Sequence, residues 1–183
     1  MKKYLPVILF LAFLSCKRNS RDVTPAIYYW KSSFNPTFFE KKKMDSLNMQ
    51  ILYVKFFDIA WDDNQNMALP AAKIFVRDTA YLRTKQVVPT VFLTNEIFYK
   101  LDSAGVKHLA ANTASLIKKY LALYRIDGVT ELQIDCDWTA TTKNLYFYFL
   151  NEIKRQHIAP VLSATIRLHQ VKYITSSGVP PAD

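Results

Sequence analysis

Residues 132–139, LQIDCDWT, set two carboxylates two positions apart inside an apolar run. Side chains alternate along a strand, so Asp135 and Asp137 share one face with Gln133, while Leu132, Ile134 and Cys136 share the other. Like charges this close raise each other's proton affinity, so one of the pair can keep a proton near neutral pH and work as an acid. Asp58, ending another apolar run, is the best second carboxylate. Lys55 and Arg167 stand on neighbouring runs, so an internal ion-pair network with Asp135 and Asp137 is the structural alternative to a catalytic centre. A charged network of that kind often borders a site. Trp30, Trp61 and Trp138 follow or end these segments and offer flat surfaces to a ligand, as does Tyr29.

Other residues carry less. Cys136 falls on the apolar side and reads as a small buried hydrophobe. His108 and His157 sit in helical patterns, and His169 sits at a helix start. No histidine lies at ligand spacing from Asp135 and Asp137, so no metal is expected. Only three glycines occur, and neither GxGxxG nor GxxxxGK[ST] is present, so no nucleotide cofactor is expected.

These side chains need elements to hold them. Strands are expected at residues 26–30, 50–59, 87–94, 130–138 and 159–168, with a small extra strand at 73–77. Helices are expected at 37–47, across 95–124 in two pieces, at 141–156, and from 169 on. Strands alternating with helices mean α/β, a parallel sheet with crossover connections. A doubly wound sheet would carry a nucleotide loop after its first strand, which is absent. The expected fold is therefore a (β/α)8 TIM-barrel-like wall with five or so βα units. Its interior would take Gln133, Asp135 and Asp137, then Ser163, Thr165 and Arg167, then Tyr53, Lys55 and Phe57, with Asp58 at the strand end. Polar residues facing inward are costly unless they pair or face a solvated site. A full barrel needs about 250 residues. The chain has 183, so an N-terminal part of a longer barrel is expected, with a small open sheet as the alternative.

Composition fits a folded domain: 50% of residues are hydrophobic and 21% charged. The net charge of +9 is scattered, with short clusters at Lys17-Arg18 and Lys41-Lys42-Lys43. Such clusters read as solvated faces, so nucleic acid is not expected as a partner. At the N-terminus, Lys2 and Lys3 precede an 11-residue apolar run, Tyr4 to Leu14. That is too short to span a membrane and suits a signal peptide. Leu14-Ser15-Cys16 resembles the lipobox of bacterial lipoproteins. The resemblance implies a signal at residues 1–15, lipidation of Cys16, a polar tether over 16–25 and a domain over 26–183. The membrane, reached through the lipid on Cys16, is then a partner, and the bacterial cell envelope is the expected location.

Residues 132–139 also resemble the fourth-strand signature of the chitinase-type glycoside hydrolases, Asp-x-Asp-x-Glu. Asp135 and Asp137 match its last two aspartates, Trp138 the aromatic before its acid, and Thr139 stands at the acid's position. Across residues 26–168 the YYWKSSF, LYVKFFD and QIDCDWT segments resemble an uncharacterised family of bacterial lipoproteins with a glycosidase-like barrel. The resemblance implies action on, or binding of, a carbohydrate. Asp137, Asp135 and Asp58 would be its acid, base or nucleophile, and Trp30, Lys55, Trp61, Trp138 and Arg167 its substrate contacts. A non-catalytic barrel binding a glycan or an envelope partner is the other reading.

Overall fold

The structure, a computed structural model, describes residues 23–183. Cys16, the 1–15 signal and most of the 16–25 tether lie outside the described residues.

The chain begins with β1 (Ala26–Tyr29) and a two-residue β2 (Ser33–Phe34). Helix α1 (Phe38–Ser46) starts where Thr37 closes a capping box: Glu40 N–H donates to Thr37 Oγ1 at 3.3 Å, and Thr37 N–H donates to Glu40 Oε2 at 2.7 Å. Next comes β3 (Ile51–Asp62), which runs past the expected end at residue 59 into a hairpin with antiparallel β4 (Met67–Ala71). Asp62 Oδ1 fixes that turn by accepting from Asn64 and Gln65 N–H at 2.9 and 3.0 Å. The extra strand expected at 73–77 is reduced to β5 (Phe75–Val76), which pairs with β2 outside the main sheet.

Short α2 (Thr79–Leu82) leads to β6 (Gln86–Leu93), and α3 (Ile97–Lys100) leads to the long α4 (Ser103–Tyr124). Asp102 caps α4 through Gly105 N–H at 2.8 Å, and Arg125 ends it in a left-handed conformation. Then follow β7 (Glu131–Cys136), α5 (Lys143–Lys154), β8 (Val161–Ala164), α6 (Leu168–Lys172) and α7 (Ile174–Ser177).

The protein is α/β, with a mostly parallel central sheet in the order β1-β3-β6-β7-β8 and β4 appended to β3. Among the described residues strands are added in one direction with no reversal, so the switch point that defines a doubly wound sheet does not occur there. The sheet is open: β1 and β8 are its two ends and do not pair with each other. One face is apolar. Leu52, Val54, Val91, Leu93, Leu132, Ile134 and Cys136 are all buried in the core. Tyr120 of α4 packs on Phe56 and Phe57, and Phe149 of α5 joins Phe98 in the same core.

A bulge in β3 corrects one expectation. Pairing with β6 slips between Lys55 and Phe57, so Phe56 is the extra residue. Phe56 and Phe57 are both fully buried, and Phe57 does not share a face with Tyr53 and Lys55. Asp58 takes that place instead. The Phe56 carbonyl, released from the ladder, accepts Ile74 N–H at 2.7 Å, which ties the loop before β5 to the bulge.

Candidate functional site

Register sets the residues of the opposite face in rows across the sheet. Tyr28, Tyr53 and Val88 lie abreast. Lys55, Thr90, Gln133 and Ser163 form the next row, and Asp58, Phe92 and Asp135 the next. Over this face lies a cleft of about 450 Å³, lined by Tyr28 and Trp30 at one end and Thr165 and Arg167 at the other, with Gln133 and Asp135 between. An adjoining hollow of about 410 Å³ shares Trp30, Asp135 and Arg167 and reaches Lys55 and Asp58. Four strand spacings separate the sheet's ends, roughly 19 Å if the sheet were flat. One cleft touching both ends means the face is concave.

Asp135 is 1% exposed and sits at the centre of the charge cluster. The Thr165 hydroxyl donates to it, and Arg167 Nη2 reaches its two oxygens at 3.1 and 3.2 Å. Burial pushes the Asp135 carboxyl above the usual carboxylate range, against the pull of Thr165 and Arg167. Asp137 lies at the rim with half its side chain exposed, and accepts from Arg167 Nε. One guanidinium therefore bridges both carboxylates, and the Asp137 hydrogen bond is the main cause of its raised proton affinity. Lys55 does not join them. It pairs with Asp58 at 2.9 Å, three residues on, and stands 5.7 Å above the Trp30 ring. The bulge is what makes that pairing possible, so the expected single network is two adjacent ones.

Two expected contact residues are corrected. Trp138 is fully buried on the helix side, stacked on Tyr146 at 5.0 Å, with its indole N–H donating to the Ser177 carbonyl at 2.9 Å. Strand alternation explains this: Trp138 continues the series of Leu132, Ile134 and Cys136. Trp61 belongs to the β3–β4 hairpin, opposite Ala68, with Lys100 5.9 Å from its ring, and does not line the cleft. Tyr29 also turns away, packing on Phe34 and donating to the Ser33 carbonyl. Trp30 does line the cleft and is 42% exposed. Tyr28 stands beside it, rings 6.0 Å apart and 17° from parallel, and Tyr53 continues the aromatic row at 4.7 Å from Tyr28. Tyr53 keeps the inward face expected for it beside Lys55, whereas Tyr28 is an unexpected contact whose parity with Trp30 is the signal in the sequence.

Thr139 closes the turn before α5. Its N–H donates to Thr142 Oγ1 at 3.0 Å, and its hydroxyl lies 3.1 Å from that of Tyr99. Cys136 is fully buried, which raises its thiol's proton affinity, and the three histidines are exposed. Among the described residues no three His, Cys, Asp or Glu side chains are grouped to hold a metal. No described helix is long and apolar enough to cross a membrane. A separate apolar groove of about 300 Å³ runs between β1 and α1, floored by Ile27, Met44 and Met49.

The concave face thus offers an aromatic platform at one end, an Asp-Arg-Asp cluster at the other and a Lys-Asp pair alongside. The chain matches no protein-family model and no curated protein, so the reading of this site rests on its own geometry.

Proposed function

We propose that the concave face binds a neutral glycan, and that the sheet is part of a glycoside-hydrolase-like (β/α)8 barrel wall in a lipid-anchored protein of the bacterial cell envelope. The observation that carries the reading is the exposed Tyr28–Trp30 stack facing Asp135 and Arg167 across one cleft, with Asp137 bound to the far side of the Arg167 guanidinium. An aromatic face takes the apolar side of a sugar ring, while a carboxylate beside a guanidinium offers acceptor and donor to neighbouring hydroxyls. Both cations of the cleft are already paired, Lys55 with Asp58 and Arg167 with Asp135 and Asp137. That pairing favours an uncharged ligand over an anionic one. It also favours binding over hydrolysis, because Asp137 at the rim is held by Arg167 and Thr139 offers no acid.

Hydrolysis is the second reading, and the raised proton affinity of buried Asp135 is what favours it. The test is titration of the full-length chain in detergent with cellotetraose, maltotetraose and chitotetraose, with reducing ends counted over time. Saturable binding lost in Trp30→Ala, with no release of reducing ends, supports the binding reading. Release abolished by Asp135→Asn supports hydrolysis, and no binding to any of the three refutes both. For the anchor, a palmitate analogue should label wild type and not Cys16→Ala. Equal labelling would refute the lipoprotein.

A further inference from the structure

We propose that Gln133 selects the ligand at the cleft floor by accepting a hydrogen bond from a hydroxyl or amide N–H of the sugar, an inference that rests on the glycan reading above. One row away, Glu131 sets the direction of the hydrogen bonds. A carboxylate has only acceptors, so whatever bonds to it must donate. The Tyr53 hydroxyl lies 3.2 Å from both Glu131 oxygens, and the Ser163 hydroxyl donates to Oε1. Tyr53 keeps its proton, since burial and Glu131 push it up to about 12.

Ser163 has then used its only proton and can only accept. Gln133 Nε2 meets it at 3.4 Å. That contact orients the amide: nitrogen toward Ser163, oxygen away from it. The oxygen is left over. Gln133 is 5% exposed and lines the cleft, and its Oε1 is buried with no hydrogen-bond partner among the described residues. Thr90, abreast of it, turns its hydroxyl to the Val88 carbonyl at 3.5 Å and leaves Gln133 unserved.

A buried acceptor without a donor costs the fold free energy. It returns that energy only to a ligand that brings a donor, and a ligand lacking one there is rejected. A hydroxyl relay anchored on Glu131 therefore leaves one unpartnered acceptor on a residue of the cleft floor, in the row between Tyr53 and Asp135.

Gln133→Met keeps length and volume and removes the orphan oxygen. It should melt at or above the wild-type temperature and bind the preferred tetrasaccharide of the three about tenfold more weakly. Equal affinity in Gln133→Met overturns the inference and leaves the glycan reading standing, whereas a wild type that binds none of the three overturns both. Should Gln133→Met fail to fold, Ser163→Ala carries the test. It frees the amide to turn and should weaken binding by about threefold, and unchanged affinity there overturns the inference.

Discussion

Arg167 and Asp135 touch, yet losing one is not equivalent to losing the other. Asp135 is buried, whereas Arg167 is 43% exposed and keeps a second partner in Asp137. Asp135→Ala strands no buried cation. It leaves the Thr165 hydroxyl and one guanidinium nitrogen short of an acceptor, at a cost of about 1–3 kcal/mol. Arg167→Met leaves a buried carboxylate with only Thr165, and should cost about 3–5 kcal/mol near neutral pH. The second penalty depends on pH with a known sign. Asp135's proton affinity is raised in the fold, so the folded state tolerates its protonated form better than its charged one. The gap between Arg167→Met and wild type should narrow as pH falls, because protonation removes the stranded charge. Urea denaturation at about pH 7 and about pH 5 measures it, and a gap that widens on acidification contradicts the assignment.

At the scale of elements, the strand pattern was legible where alternation was clean. Leu132, Ile134 and Cys136 against Gln133 and Asp135 set the faces of β7, and carrying that parity on to Trp138 would have removed it from the expected substrate contacts, where its resemblance to a site aromatic had put it. The bulge in β3 was not legible, because Phe56 and Phe57 suit the apolar face equally and only pairing with β6 reveals which is extra. Strand β4 was hidden by Pro70, which reads as a breaker but is tolerated in a strand bonded on one side only. Gln133 faced the site by parity, but its orphan oxygen follows from Ser163 and Glu131, contacts no sequence pattern displays. For α1, capping was written in Thr37 and Glu40. Thr37→Ala should cost about 1 kcal/mol, measured by thermal melting. The half-buried Glu40 carboxyl is held down to about 2 by Lys31 first and then by Thr37. Its contribution is complete above the ordinary glutamate range and is lost as pH falls toward about 2, so protection of the first-turn amides of α1 relative to their intrinsic exchange rates should fall over that window.

For the whole molecule, the same sign recurs at separate places. Asp45 is lowered first by Lys85 and then Tyr81, Asp78 first by Lys41, and Asp183 first by Lys154. These carboxylates join α1 to α2 and the C-terminal segment to α5 and β8. Each stabilises the fold above the ordinary aspartate range and ceases to as pH falls below it, the opposite of Asp135. Acid should therefore lower the melting temperature below about pH 4, followed by circular dichroism; a melting temperature unchanged between about pH 5 and about pH 2 contradicts these pairs as a source of stability. The larger claim is that one concave face, reached from both ends of the sheet, is where ligand goes. The three tryptophans report on it independently. Trp30 lines the cleft, Trp61 lies in the hairpin, and Trp138 is buried with its N–H bound to Ser177. The most direct measurement is the indole N–H spectrum of the full-length protein in detergent, titrated with cellotetraose, maltotetraose and chitotetraose. At least one of these should shift the Trp30 resonance in a saturable way while Trp61 and Trp138 stay in place. Saturable shifts at Trp61 or Trp138 with Trp30 unmoved, or no shift with any of the three, would contradict it.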